Sequence, residues 1–511
     1  MTEEISLREN ELTRKQRYII KRIIVRGTLI LDTPTCLGSG DAESPTDLPL
    51  LRDSISDRAL LTGASIAGAL RNYLRECERG YLASEQAEDL APLLFGGMRS
   101  DDDGNQSPLI IDDAISNQAI KVEVRDGVKI NSITRTAEDK AKYDLELLQA
   151  GTEFPLSFEL LIEEKVDEAK IFKALAIALQ GLEPKKDPNV SECENDSKSG
   201  EICLGMKKRR GFGRCHVKEW QVWNFNLEDE NDRTVWLNFE HWHTGLLPDR
   251  ETYSSIATAL GLSLENKENK RDRFLIHAQF QLVGSLLIRS GQDSTGRAPD
   301  VVHLKSHRPD KSDSLPVLSG TSLAGVLRHR AERIVNTLGG NSTLVKDLFG
   351  FVEGKEAKSS RLVVHEKVIE KATELVQNRI AIDRFTGGAY HGALFDEKPI
   401  FGGDETRVYI ELELRNPKDY EIGLLLLLLK DLWTSDLPVG GESSIGRGHL
   451  KGIQGDLIRH HPQNPKQWQI TESNGNLQIE NILHSSQSET LVKYDLEQFV
   501  KALLKELGKE V

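Results

Sequence analysis

The chain has 511 residues, 38% of them hydrophobic and 29% charged, with a formal net charge of −14. That balance is ordinary for a folded chain of more than one domain and excludes disorder as its default state. It also excludes a surface coated in positive charge, although phosphate binding needs only a local basic groove.

Met1 to Asn10 is polar and acidic and has no apolar core of a secretory signal, so the expected location is the cytoplasm. Arg22 to Leu31 reads as a strand rich in β-branched residues, followed by a loop with Gly38, Gly40, Pro45 and Pro49 that carries Asp41, Asp47 and Asp53. The motif Gly63-Ala64-Ser65-Ile66-Ala67-Gly68-Ala69-Leu70-Arg71 then opens an amphipathic helix. Residues 96–107, acidic and Gly-rich, form a loop. Residues 120–162 read as a strand-loop-strand unit with a polar, charged middle from Thr134 to Lys142, and residues 168–181 as a second helix. After a polar loop, residues 205–217 make a Gly- and Arg-rich turn that leads into a last strand and holds the basic run Lys207, Lys208, Arg209, Arg210 with Arg214. Residues 226–272 connect this half to the next and carry a helical pattern from Tyr253 to Leu264.

The whole plan then recurs. Gly320-Thr321-Ser322-Leu323-Ala324-Gly325-Val326-Leu327-Arg328 repeats the helix motif with six of nine positions identical. Its flanks repeat too: Thr46-Asp47-Leu48 matches Pro299-Asp300-Val301, Phe95-Gly96 matches Phe349-Gly350, and Asn131 with Thr134 matches Asp383 with Thr386. Gly211-Phe212-Gly213-Arg214 is paired with Ser444-Ile445-Gly446-Arg447. Several blocks in one order mean a duplicated domain. The expected division is a first domain over 1–225, a connecting segment over 226–272, a second domain over 273–455, and a tail over 456–511 with a terminal helix from Lys493 to Leu507. The longest apolar run, Leu424 to Leu429, is far short of a membrane span and reads as a buried helix. Strand, helix, strand pair, helix, strand is the order of a ferredoxin-like domain, the sheet of RNA-recognition modules. The expected fold class is therefore α+β, two tandem ferredoxin-like (RRM-like) domains.

Several residues point to phosphate chemistry. Ser65 and Ser322 are the expected N-caps, Gly63, Gly68, Gly320 and Gly325 let another backbone approach, and Arg71 and Arg328 sit where a phosphate at the helix N-terminus would meet them. A salt bridge on the helix face is the other reading of both arginines. Lys208, Arg209, Arg210, Gly213 and Arg214, with Gly446 and Arg447, are either simple turns or a second backbone clamp. Cys193, Cys203, Cys215 and His216 lack the close Cys pairs of structural zinc sites, so free thiols are expected over zinc. No phosphate-binding loop of the GxxxxGK[ST] kind is present, so ATP hydrolysis is not expected.

Taken together, the loop aspartate, the helix motif, the hairpin reading Ile382-Asp383-Arg384-Phe385-Thr386 and the Gly-Arg turn resemble the RAMP superfamily of CRISPR systems. More narrowly, the chain resembles the backbone subunits of type III effector complexes, and two such domains in one chain are similar to the fused double-backbone subunits of type III-D-like complexes. The resemblance covers residues 20–222 and 273–455. It implies that the helix motif and the turn grip CRISPR guide RNA, and that a thumb hairpin in each domain kinks the guide paired with complementary target RNA. Thr134, Arg135, Arg384 and Phe385 are the thumb residues it implies. It further implies that Asp47 and Asp300 serve target-RNA cleavage and hold the divalent metal, Mg²⁺ or Mn²⁺, that this cleavage uses. Other type III effector subunits are the implied partners, and a membrane is not. The second aspartate departs from the pattern, because no Pro follows Asp300 and Ser306 stands where a basic-acidic pair should end; in the first thumb Asn131-Ser132 replaces Asp383-Arg384. Two alternatives stay open: a guide-RNA scaffold that does not cut, and an endoribonuclease that processes the guide precursor without metal.

Overall fold

A computed structural model describes residues 18–40, 49–97, 105–131, 134, 136–184, 199–264, 269–290, 299–473, 476–483 and 489–509. The first half runs β1 (Ile19–Leu31), α1 (Gly63–Arg79), α2 (Leu90–Phe95), β2 (Leu109–Ile111), a hairpin of β3 (Val122–Ile130) and β4 (Ala137–Leu148), β5 (Glu153–Glu163), α3 (Glu168–Gln180) and β6 (Cys215–Asn226). The second half repeats it as β7 (Arg273–Val283), α4 (Gly320–Thr337), α5 (Thr343–Phe349), β8 (Leu362–Val364), a hairpin of β9 (Gln377–Ile382) and β10 (Ala389–Lys398), β11 (Arg407–Arg415), α6 (Asp419–Trp433) and β12 (His449–His460). A tail adds β13 (Lys466–Ser473), β14 (Asn476–Asn481) and α7 (Glu489–Glu506).

In the first half the strands lie in the order β2-β5-β1-β6, every pair antiparallel. The second half has the same order, β8-β11-β7-β12. Alternation explains which face is covered: along β5, Phe154, Leu156, Phe158, Leu160 and Ile162 point into the core, and along β11, Val408, Ile410, Leu412 and Leu414 do the same. Against the first face α1 lays Ile66, Leu70, Tyr73, Leu74 and Cys77, spaced by three and four residues. In the second half α4 takes that place with Leu323, Leu327, Ala331 and Val335, and the leucine run of α6, the counterpart of α3, is buried beside it at Leu424, Leu425, Leu428 and Leu429.

Both motif helices begin hard against the edge strand. A Cβ on Gly63 would stand 2.3 Å from the Ile111 carbonyl oxygen, and one on Gly320 would stand 2.5 Å from that of Val364. The first glycine of each motif therefore serves helix-strand packing. The expected N-caps shift by three residues: Thr62 caps α1 and accepts from the Ser65 N–H, and Ser319 is the cap position of α4. Ser65 and Ser322 lie inside the first turn.

Three other expectations change. The polar middle of residues 120–162 is largely strand, because β4 pairs with β3 from Ala137 onward. A ribbon standing away from the core has no buried face, so its outer part shows no apolar alternation. The connecting segment is helical over Glu230–Leu237 and Ile256–Ala259 rather than from Tyr253 to Leu264. Gly261, at φ 69°, ends the second of these. Past residue 455, β13 and β14 extend the second sheet, with Trp468 fully buried, and α7 packs on α6 where Gly423 admits the Phe499 carbonyl.

Candidate nucleic-acid interface

The two halves dock asymmetrically. The Gly-Arg turn, the hairpin base and the end of α1 from the first half meet the outward face of β7 and β11 in the second. Between them runs a groove of about 1350 Å³. Its walls are the exposed face of α1 around Thr62, Ser65, Gly68 and Asn72, the turn at Lys207 to Arg209, and the outward side chains of β7 and β11. Eight Lys and Arg residues and five acidic residues line it, so an acidic chain carries a locally positive channel.

Ion pairs hold the walls together. Glu366 is fully buried and receives Arg125 Nη2 from the first hairpin at 3.0 Å and Arg308 Nη2 at 3.0 Å. Burial would raise the Glu366 carboxyl, but the two arginines outweigh it and lower its pKa. Arg214 reaches Glu411 at 3.3 Å, and Lys367 and His365 face the same carboxylate. Burial opposes the Glu411 charge as well, yet Lys367, His365 and Arg214 hold it well below the usual carboxylate range. Tyr81 Oη donates to Glu413 at 3.0 Å; burial there is overcome by Arg415 and Arg273, and the Glu413 pKa falls to about 2. Burial depresses His365 to about 4.

The Gly-Arg turns superpose in chain order with a different pairing from the expected one. Lys207, Gly211 and Gly213 have φ of 55°, 88° and 76°, and Glu442, Gly446 and Gly448 have 61°, 85° and 82° at identical spacing. The Leu204 N–H donates to Gly213 O at 2.8 Å as the Val439 N–H does to Gly448 O at 2.9 Å. Gly211 thus answers to Gly446, Phe212 to Arg447, and Arg214 to His449; the sequence pairing is slipped by two residues. Gly213 and Gly448 are required, since a Cβ on either would lie 1.9 Å from a carbonyl oxygen of the same turn.

Most of the arginines singled out from sequence bind protein groups. Arg71 Nε meets Glu85 at 3.0 Å and its Nη2 donates to Gly96 O at 3.2 Å. Arg328 repeats this with Glu332 at 3.2 Å and Gly350 O at 3.1 Å, so each motif arginine closes the C-terminus of the following short helix. Arg210 donates to Leu362 O and Phe349 O in the second half. Arg447 is buried against Glu397 at 3.0 Å and Glu442 at 2.8 Å. Arg209 lies beside Arg415, and burial together with that like charge lowers its pKa. Lys208 is exposed, and Ser65 and Gly68 face the groove. Around Gly68 and Gly325 there is open space, room for another backbone to approach.

The hairpin tips are built alike. Asn131 Oδ1 accepts from the Thr134 N–H at 3.0 Å, and Asp383 Oδ1 accepts from the Thr386 N–H at 2.9 Å. Arg384 and Phe385 project at the second tip, Phe385 fully exposed. Asp300 is exposed at the base of that hairpin, where its Oδ2 accepts from the Asp396 N–H at 3.0 Å. Asp47, Arg135 and Cys193 lie outside the described residues. Of the remaining zinc candidates, Cys215 Sγ points to Ile202 O at 3.5 Å and His216 Nδ1 contacts Asp32 at 2.8 Å. Among the described residues no group of three or more His, Cys, Asp or Glu side chains is arranged to hold a metal. Sequence reasoning missed Glu366, Glu411 and Glu413. The only signal of Glu411 and Glu413 is the alternation in Arg407–Arg415, which ordinary solvent-facing strands share, and Glu366 lies outside that strand.

No helix among the described residues is long and apolar enough to cross a membrane. The family model of the RAMP superfamily matches residues 28–216 and 279–451, one stretch in each half and more than half of the chain. No curated protein matches it.

Proposed function

This chain belongs to the RAMP superfamily, and on that premise we propose that it is a guide-RNA-binding backbone subunit of a type III CRISPR effector complex, with two fused backbone domains of the type III-D-like kind. Membership of the superfamily supports an RNA-binding, CRISPR-associated subunit. The strand order in each half supports a ferredoxin-like domain, and the two hairpins are read as its thumbs. The observation that carries the reading is the duplication of one apparatus: a bare glycine on the motif helix, a turn with three left-handed positions, and a hairpin closed by an Asx-turn.

Within that reading, RNA binding rests on shape and local charge. Lys208, Ser65 and the open helix face at Gly68 border the positive groove, and backbone N–H groups of the turns add donors for phosphate oxygens. The arginines Arg71, Arg210, Arg214, Arg328 and Arg447 act as positioning residues that hold the turn and the helix in place.

We further propose target-RNA cleavage at Asp300 and at its counterpart Asp47. Attack of a ribose 2′-hydroxyl on the adjacent phosphate passes the hydroxyl proton to water, breaks the bond to the next nucleotide's 5′-oxygen, which takes a proton from water, and leaves a 2′,3′-cyclic phosphate. It depends on in-line geometry, which a thumb that splays the duplex supplies. Asp300 has one carboxylate oxygen fixed by the Asp396 N–H, which leaves the other to face RNA. A lone carboxylate fits Mg²⁺ or Mn²⁺ only as one anchor shared with RNA phosphate oxygens and water, and there the ion would neutralise charge at the scissile phosphate. A non-cutting scaffold is the second reading, supported by the finding that among the described residues no group of three or more His, Cys, Asp or Glu side chains gathers at Asp300. Footprinting of guide RNA on the assembled complex tests RNA binding. Two protected segments per chain are expected, and one protected segment or none contradicts two backbone domains.

A further inference from the structure

The two sheets differ in charge at one set of matching positions. On the second, His277 of β7 is paired with Glu411 and Asp456, so a basic residue has acids on both neighbouring strands. On the first, the same positions are Arg26, Ser157 and Gln221, a cation between two neutral residues. The next outward residue of β5, Glu159, is already taken by Arg22 at 2.6 Å.

Arg26 is nonetheless 1% exposed, because the connecting segment lies over it. Gln221 fastens that segment, its side chain donating to Leu247 O at 2.7 Å and accepting from the Leu247 N–H at 2.8 Å. The guanidinium carbon of Arg26 lies over the rings of Trp223 and Phe239, 5.1 and 4.9 Å from their centroids, and those faces offset part of its charge. Its N–H groups, however, point outward in the guanidinium plane and need acceptors there. Among the described residues Arg26 makes one side-chain hydrogen bond, from Nη2 to Glu240 O at 2.8 Å, while Nε is buried without an acceptor. Burial lowers the Arg26 pKa, and the Glu240 charge opposes this from the exposed rim. A buried cation without a paired anion is costly, so a counter-charge is missing from this face.

A pocket of about 360 Å³ opens onto Arg26. That size is near the lower end of the roughly 300–1,000 Å³ of ligand pockets and suits a small molecule. Phe239, Leu247 and Val235 give it apolar walls, His243 stands at its rim, and Arg26 is the one arginine or lysine among its lining residues. All of those residues lie outside the family-matched stretches 28–216 and 279–451. Glu240 selects among anions: its carboxylate lines the same pocket, so a doubly charged phosphate meets about twice the repulsion that a singly charged carboxylate does.

We propose that this pocket binds a small organic carboxylate, whose oxygens accept from the Arg26 guanidinium and supply the missing counter-charge while its apolar body lies against Phe239 and Leu247. The inference does not depend on RNA binding or cleavage, and its test contains no RNA.

The test is the melting temperature of the full chain in sodium benzoate, sodium acetate, benzamide or inorganic phosphate, each against sodium chloride at equal ionic strength. A ligand that binds only the folded chain raises the melting temperature with concentration. Benzoate is expected to raise it most, acetate less for want of an apolar body, and benzamide, which has the same shape and no charge, not at all. Arg26→Gln should abolish the rise. Glu240→Gln, at an exposed rim position, should shift the benzoate response to severalfold lower concentration. No rise with either carboxylate would overturn the proposal, as would an equal rise with benzamide or in a folded Arg26→Gln variant. Phosphate acting at lower concentration than benzoate would refute the carboxylate class. If Arg26→Gln does not fold, Glu240→Gln decides: an unchanged or weakened benzoate response in that variant would contradict a carboxylate seated between Arg26 and the rim.

Discussion

Arg447 meets Glu397 in a buried ion pair of 3.0 Å at the base of the second hairpin, in the place where the first half packs Phe212 with Leu145. One site in a duplicated domain has thus been solved once with charge and once with hydrophobic packing. Replacing a buried pair wholesale is often neutral, whereas removing one partner costs about 3–5 kcal/mol. Arg447→Phe alone should lose about that much stability in urea unfolding, and Arg447→Phe with Glu397→Leu should recover most of it. A double variant no more stable than the single one would contradict the equivalence.

Glu366 ties the halves together. Glu366→Gln leaves Arg125 paired with Glu123 alone and takes the carboxylate from the buried Arg308, and should cost about 3–5 kcal/mol. Asp57→Asn, at the exposed pair with Arg52, should change stability by less than about 1 kcal/mol. Urea midpoints of the two variants make the comparison.

Acid should loosen the docked halves in two stages. His365 and His303 are each lowered to about 4 by burial, so the folded chain binds fewer protons than the unfolded one from about pH 6.5 down to about 4, and stability falls as pH drops through that window. The Glu413 carboxyl, lowered to about 2, contributes stability that is present above its unfolded value near 4.5 and is lost as pH falls toward 2. Melting temperatures between pH 7 and 3 should decline in both ranges. His365→Gln should flatten the upper one.

Exposed groups should affect RNA without affecting the fold. Lys208→Ala should leave the melting temperature within experimental error, weaken guide binding across sequences, and reduce the salt slope of log K by about 1. Phe385→Ala, at a fully exposed hairpin tip, should likewise leave stability unchanged and reduce cutting of target RNA beside the second thumb. Gel-shift titrations at several salt concentrations and product analysis separate the two effects.

The duplication and much of the element order were legible, because Leu323, Leu327 and Val335 on α4 and the alternation of β5 and β11 carry their periods in the residues themselves. Partnership was harder to read. Arg71 and Arg328 have the composition of phosphate ligands, yet Glu85 and Gly96 O, and Glu332 and Gly350 O, lie at hydrogen-bond distance only once tertiary structure assembles them. The turn register slipped because the shared feature is backbone sign, left-handed at Lys207 and at Glu442, where side-chain identity differs. Covering of β6 by residues 226–264 had no periodic signal, since Phe239 and Leu247 come from irregular chain.

The proposed role of this chain is to grip guide RNA and to cut the RNA paired with it. The measurement that reaches it most directly is target-RNA cleavage by the guide-loaded complex, with Asp47→Ala and Asp300→Ala tested singly and together, in Mg²⁺ and in chelator. Loss of one distinct product per substitution, and of both products in chelator, is the predicted result. An unchanged product pattern in the double variant would make the chain a scaffold and place the nuclease in another subunit.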